Sequence, residues 1–248
     1  MPQNTFVGPA AEFYDAAEQL NSRPAAVEAA VSFLADLGGN EPVLEFAIGT
    51  GRLALPLRER GVAVHGIEIS DDMIAQLNGK PGADAIPVVA GDMAVMRVPG
   101  AGSFSLVYLA YNTIGNLLEQ SEQVACFANA AAHLRPGGTF VIERYIPQLR
   151  RMPPGQSSLA SDITSHHLNF DTYDFANQRL VSHHFWPAPG GRMTTEESHH
   201  RYAWPAELDL MAQLAGLRLR ERWGDWTRAL FTGESAQHIS VWEKPAQH

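Results

Sequence analysis

Two glycines and two carboxylates define the chemistry this chain can support. Gly49-Thr50-Gly51 follows a short apolar run, Val43-Leu44-Glu45-Phe46-Ala47, and precedes a helical pattern from Arg52 to Arg60. Residues without a bulky side chain let the backbone come close to a bound molecule. A helix starting near Thr50 presents unpaired N–H groups and a positive dipole end, so an anionic group is expected there. Glu68 closes a second strand, Val62 to Ile69, 19 residues after Gly49. A carboxylate in that place accepts two hydrogen bonds from the vicinal hydroxyls of a ribose. Together these features imply a cofactor that contains a nucleoside. Gly49 to Ala54 also satisfies G-x-G-x-x-G/A, which leaves a dinucleotide open. Against it stands Glu45, a carboxylate inside an otherwise apolar strand, where a dinucleotide site has little use for one.

Glu45-Phe46-Ala47-Ile48-Gly49-Thr50-Gly51-Arg52 resembles the first motif of the class I S-adenosylmethionine-dependent methyltransferases, an acidic residue followed by three small residues at alternate positions. Ala47 stands in place of the first glycine. Leu134-Arg135-Pro136-Gly137-Gly138, read as a turn before an apolar strand, is a second phrase similar to that family. The terminal pair Leu217 to Trp223 and His238 to Glu243 matches its antiparallel hairpin. The resemblance covers about residues 40–145 and 203–244, and it departs at Ser105, where the family often carries Asp. It implies S-adenosyl-L-methionine as cofactor, held by Glu45, Ala47, Gly49, Gly51, Arg52, Glu68, Ile69, Met73, Gly91, Asp92, Met93 and Leu109. Asp92 is then expected near the adenine amino group and Met93 against the ring. Tyr14 occupies the place of a tyrosine in the N-terminal Tyr-Asp pair of related small-molecule methyltransferases; the alternative is a half-buried aromatic on an amphipathic helix.

The acceptor side is read from strand ends, where ligands of open α/β sheets gather. Tyr111 and Asn112 follow the strand Phe104 to Ala110, and Glu143 and Tyr145 close the next one. Three histidine pairs, His166-His167, His183-His184 and His199-His200, fall on strands expected between residues 159 and 203. Neighbours on a strand face opposite ways, so each pair offers one imidazole to a given face. Three readings follow: a polar, partly exposed sheet; a metal site built across strands; or one histidine reaching into the substrate pocket as a hydrogen-bonding group or base. The catalytic candidates are Tyr14, Tyr111, Glu143, Tyr145 and His167, with no metal assigned.

The elements that must position these residues alternate strand and helix. Residues 10–37 read as helical, with Phe13, Leu20, Val27, Val31, Phe33 and Leu34 facing inward and Pro24 opening a second helix. Ser70 caps a helix ending near Asn78-Gly79, Ile86 to Ala90 is a third strand, and Glu122 to Leu134 and Trp204 to Ala215 are helices. The expected fold is α/β: a Rossmann-like, seven-stranded, mainly parallel sheet with a C-terminal antiparallel hairpin and an inserted antiparallel β-sheet. Residues 1–146 and 204–248 form the main domain, and residues 147–203 the insertion that covers substrate. The chain has 248 residues, 45% of them hydrophobic, enough for one large domain. A formal charge of -9 disfavours nucleic acid as a partner. The single Cys126 excludes an internal disulfide and a cysteine-rich zinc site. No signal peptide or membrane span is expected, so the location is read as cytoplasmic and the assembly as monomer or homodimer. Methyl transfer to a small molecule, tilted toward an amine, is the leading reading; a non-catalytic cofactor-binding protein and a dinucleotide oxidoreductase are the alternatives.

Overall fold

The computed structural model describes residues 8, 11, 14, 15, 24–188 and 190–246. Phe13 and Leu20 lie outside the described residues. In chain order the main elements are α1 (Pro24–Gly38), β1 (Val43–Phe46), α2 (Ala54–Glu59), β2 (Val64–Glu68), α3 (Asp71–Asn78), β3 (Val88–Ala90), β4 (Phe104–Leu109), α4 (Gln120–His133) and β5 (Leu134–Tyr145). They continue with β6 (Ser158–Ile163), β7 (Leu168–Asp174), β8 (Arg179–Ala188), β9 (Arg192–Arg201), α5 (Pro205–Leu214), β10 (Arg218–Trp223) and β11 (Gln237–Glu243).

Strands β1 and β4 are buried along their whole length, which requires cover on both faces and explains their unbroken apolar composition around Glu45 and Ser105. Alternation sends Leu44 and Phe46 into one core layer with Phe127, Phe140 and Met211, and Val43 into the other with Val31, Leu34 and Leu57. Cys126 packs in the first layer. The seven strands run β10-β11-β5-β4-β1-β2-β3, with β11 antiparallel to both neighbours and the other pairings parallel. The order turns back on itself at β1 and β4, the place where an open sheet leaves a crevice beyond its strand ends.

Several boundaries move from the sequence expectation. Helix α2 begins at Ala54, four residues after Thr50, because Gly49 and Gly51 hold left-handed φ of 56° and 82°. The third strand starts at Val88 and not at Ile86. Leu134 to Gly138 belongs to β5 itself, and Gly138 is required there because a side chain would meet the Phe104 carbonyl at 2.9 Å. Ser105 occupies the position without an Asp by donating its hydroxyl to the Gly38 carbonyl at 2.9 Å.

Strands β6 to β9 form a separate four-stranded antiparallel sheet in simple meander order. His166 and His167 sit in the turn between β6 and β7, so only two of the three histidine pairs lie on strands. Asp171 lies within β7. The second sheet is anchored by Arg201 at the end of β9. Its guanidinium donates to Gln123 Oε1 at 2.7 Å and Glu207 Oε1 at 2.6 Å, linking β9 to α4 and α5. Arg201 is nearly fully buried, so losing it leaves Gln123 Oε1 without its donor and Glu207 without its cation, held only by Gln120 and Gln178. Arg201→Ala is expected to cost about 3 kcal/mol in chemical denaturation, in the range for breaking a buried ion pair from one side.

Candidate active site

The ends of the parallel strands and one face of the second sheet line a cavity of about 450 Å³. Its floor comes from the loops after β1, β2 and β3: Ala47 and Gly49, then Glu68, Ile69 and Met73, then Gly91, Asp92 and Met93. Tyr14, Tyr111 and Tyr145 stand at its sides. Its roof is the inward face of the second sheet, including Asn169 and Asp171 of β7, Ser182 and His184 of β8, and Ser198 and His200 of β9.

The floor is built around Glu68. Its Oε2 accepts from Gly49 N–H at 2.8 Å, and its Oε1 accepts from Ile69 and Ser70 N–H, each at 3.0 Å. One carboxylate thus braces the glycine turn against the loop after β2. Burial raises its pKa from the ordinary carboxylate value, and the three N–H groups oppose that rise. Ser70 then caps α3 by accepting from Met73 N–H at 3.3 Å, as the sequence requires. The turn is clamped from the N-terminal side as well. Asp15 accepts from the Thr50 hydroxyl at 2.6 Å and pairs with Lys80 at 2.5 Å, and Lys80 in turn donates to the Thr50 carbonyl at 2.7 Å. That clamp holds Tyr14 beside the cavity.

Ala47 adopts φ of 52°, a conformation that glycine takes without cost and alanine does not. Its methyl group is therefore tolerated through strain rather than through a change of turn. Gly51 cannot be replaced in the same way, because a side chain there would meet Leu77 Cδ1 at 2.5 Å.

Not every residue proposed from sequence reaches the wall. Glu45 is buried beneath the floor and accepts from the Tyr108 hydroxyl at 2.9 Å. Leu109 lies in the core, and the Arg52 guanidinium sits 4.9 Å from the centre of the Tyr111 ring. Glu143 is also a brace: its Oε2 accepts from Tyr111 N–H at 2.7 Å and its Oε1 from Trp226 Nε1–H at 2.9 Å. That contact, with a bond from the buried Arg144 to Asn112 Oδ1, holds Tyr111 and Asn112 at φ of 54° and 62°. Two consecutive left-handed residues other than glycine are a strained turn, maintained here by buried partners on β5. His167 stands behind the roof, with its Nε2 3.0 Å from His184 Nδ1.

Sequence reasoning missed Asn116, Asp171, His184 and His200 as wall residues. Alternation on β8 and β9 offered a signal for the histidines, but which member of each pair faced inward depended on a register that only the folded sheet supplies. His200 is held on both ring nitrogens, 3.0 Å from Asn116 Oδ1 and 3.0 Å from Ser198 Oγ. Burial, with Arg144 nearby, pushes its pKa down to about 4, so it is neutral at physiological pH. Burial raises the Asp171 carboxyl, against a hydrogen bond from Ser182 at 2.7 Å and nearby histidines. Among the described residues no group of three or more His, Cys, Asp or Glu is arranged to hold a metal ion. None of their helices is long and apolar enough to cross a membrane.

A family profile described as "Methyltransferase domain" matches residues 43–138. The solved CcbJ methyltransferase from Streptomyces caelestis superposes with a TM-score of 0.84 at 36% identity, covering 95% of this chain and 96% of that one. The chain belongs to the class I S-adenosylmethionine-dependent methyltransferases. Curated relatives include a cypemycin N-terminal methyltransferase from a Streptomyces species, 27% identical over 95% of this chain and 96% of its own. Another is a dTDP-3-amino-3,6-dideoxy-alpha-D-glucopyranose N,N-dimethyltransferase from Streptomyces fradiae, 28% identical over 81% of this chain and 79% of its own. This methyltransferase takes S-adenosylmethionine as its cofactor, and the dinucleotide and non-catalytic readings fall away. The floor fits that cofactor through Gly49, which lines the cavity without a side chain, and the Glu68 carboxylate on the same wall; Gly51 is packed against Leu77 and Leu55 and does not reach the wall.

Glu45 carries a testable signature. Burial raises its carboxyl to about 8, with Tyr108 and Arg52 pulling the other way. Because the folded protein then binds a proton that the unfolded chain has released, stability falls as pH rises from about 4.5 to about 8. The slope from this one group reaches at most about 1.4 kcal/mol per pH unit. Glu45→Gln is expected to flatten that part of the melting-temperature profile of the ligand-free methyltransferase; an unchanged profile would show that Glu45 does not carry it.

Proposed function

We propose that this methyltransferase N-methylates a small-molecule amine, with the strand-end floor holding the cofactor and the insertion of residues 147–203, which carries the second sheet, covering the acceptor. The observation that carries this reading is the charge of the wall. Among the described residues lining the cavity, Glu68, Asp92 and Asp171 are acidic and no Lys or Arg is present. A sulfonium cofactor and a protonated amine are both cations, and a cavity of this sign draws both. The names of the curated relatives, an N-terminal methyltransferase and an amino-sugar N,N-dimethyltransferase, support the same acceptor class. The absence of basic residues on the wall speaks against a bare anionic acceptor. We place the activity in the cytoplasm, carried out by a monomer or homodimer.

S-adenosylmethionine supplies a methyl group already activated on sulfur, so the protein's task is alignment and handling of a proton. In this reading Gly49 lets the backbone approach the cofactor, Gly51 holds the turn left-handed against Leu77 and Leu55, and Glu68 accepts from a ribose hydroxyl. Asp92 meets the adenine amino group and Met93 packs on the ring. Ile69, Met73 and Ala47 shape the apolar side. Tyr14, Tyr111 and Tyr145 flank the acceptor, and Asp171 offers its charge to the acceptor nitrogen.

Two measurements separate floor from roof. Glu68→Ala is expected to weaken S-adenosylhomocysteine binding by about 2–3 kcal/mol in calorimetry, since it removes bonds to a charged acceptor and unties Gly49. Undiminished affinity in a folded variant would take Glu68 out of the cofactor site. Asp171→Asn is expected to lower kcat/KM for the amine by roughly 10- to 150-fold, corresponding to about 1.5–3 kcal/mol, while cofactor affinity stays within about twofold. The assay is transfer of labelled methyl to a panel of amino-sugar nucleotides, peptides with free N-termini, and phenols. Labelling of phenols alone would overturn the amine assignment.

A further inference from the structure

The roof contains one chain of titratable groups that the reading above does not use. Asp162, at the end of β6, has Oδ2 2.8 Å from His167 Nδ1. His167, in the turn between β6 and β7, has Nε2 3.0 Å from His184 Nδ1. The two imidazoles lie nearly coplanar, at 12° with ring centres 5.2 Å apart, so the nitrogens meet edge to edge along an in-plane hydrogen bond. Trp186 packs alongside both rings, 5.2 Å from His167 and 5.5 Å from His184, and restricts their rotation. His184 lines the cavity, whereas the Asp162 side chain is 45% exposed at the other end.

This arrangement fixes tautomers. A carboxylate only accepts, so His167 Nδ1 carries the proton given to Asp162, and His167 Nε2 accepts from His184 Nδ1–H. The remaining nitrogen, His184 Nε2, is then an unprotonated acceptor, with no hydrogen bond to another described residue. His200, by contrast, is engaged at both nitrogens and held neutral, and so cannot do this work.

We propose that His184 is the base that removes the proton from a protonated amine acceptor, and that His167 and Asp162 carry that proton to solvent. This rests on the amine reading. Methylation of an ammonium releases one proton per turnover: the N–C bond forms as the sulfonium C–S bond breaks, its electron pair remaining on sulfur. The acceptor's proton passes to His184 Nε2, the Nδ1 proton of His184 passes to His167 Nε2, and the Nδ1 proton of His167 passes to Asp162, which yields it to water. Charge and protons balance at every step, and both imidazoles end neutral in the opposite tautomer; they reset before the next turnover as a water proton returns through Asp162 to His167 Nδ1, the His167 Nε2 proton returns to His184 Nδ1, and the His184 Nε2 proton leaves to water once the product has gone. Burial lowers the pKa of His184, with His167 acting in the same direction, so it is unprotonated and ready near neutral pH. The charged or titratable groups around it are His167 from the turn, Asp171 from β7, His183 from β8, and Glu196 and His200 from β9. Asp171 and Glu196 favour its protonated form, which stabilises the proton while it is on His184. His184 is thus the catalytic residue, and His167 and Asp162 are positioning and relay residues.

The test begins on protein labelled with nitrogen-15 at histidine, saturated with S-adenosylhomocysteine at pH 8. Long-range proton–nitrogen NMR is expected to show His184 protonated at Nδ1 and bare at Nε2, with His167 in the same tautomer. In Asp162→Ala both rings are expected to lose that preference. A proton on His184 Nε2 in the unaltered protein, or identical spectra in Asp162→Ala, overturns the relay. In turnover of whichever panel amine is methylated, His184→Gln is expected to lower kcat by about 10²-fold near neutral pH. The deficit should shrink as pH approaches the pKa of the amine itself. His167→Gln should lower kcat in the same direction, and calorimetric affinity for S-adenosylhomocysteine should stay unchanged in both variants, which also establishes that they fold. An unaltered kcat in His184→Gln removes His184 as the base. Methylation of no amine overturns the amine reading, while the tautomer spectra decide the relay independently.

Discussion

The buried carboxylate of Glu68 is the contact on which the cavity depends. By accepting from the N–H groups of Gly49, Ile69 and Ser70 it joins the loops after β1 and β2, whose strands are already paired through Phe46 and Ile67. Without it the left-handed turn at Gly49 has one fewer reason to hold its shape, and the start of α3 loses its neighbour. The cost of burying the charge is partly offset by three backbone donors, and one acceptor site, on Oε2, remains for a ligand. The clamp from Asp15 through Thr50 and Lys80 reaches the same turn from the opposite side. The floor of the cavity is thus braced from both sides.

The opposite side of the cavity is built by a different logic. Strain at Tyr111 and Asn112 is maintained by Glu143 and Arg144, adjacent residues on β5 whose side chains leave the strand on opposite faces. The second sheet contributes a polar inner face in which each histidine has a separate assignment. His200 is locked as a neutral donor and acceptor pair between Asn116 and Ser198, while His184 is tied at one nitrogen and open at the other. Arg201 secures this sheet to α4 and α5 at the end nearest the cavity.

Much of the floor was legible in the sequence, because its determinants are local. The glycines at 49 and 51, the acidic end of β2 and the cap at Ser70 each announce a turn or a helix start within a few residues. The parallel sheet followed from buried apolar runs alternating with helices. Glu45 and Glu143 were legible as important but not in their roles. Both lie in or at the end of strands that point to the site, yet their oxygens face Tyr108 in one case and Tyr111 and Trp226 in the other. Partners so distant in sequence leave no local trace. The roof was least legible: antiparallel strands with polar residues on both faces do not reveal their register, and moving His167 into a turn changed which histidine met the cavity.

The most direct measurement is a crystal structure of the methyltransferase with S-adenosylhomocysteine and a methylated panel amine. The expected result has a ribose hydroxyl on the Glu68 carboxylate and the amine nitrogen between the sulfur and the roof formed by Asp171 and His184. A ribose that makes no contact with Glu68, or an amine bound away from the second sheet, would contradict the assignment of one cavity to both ligands.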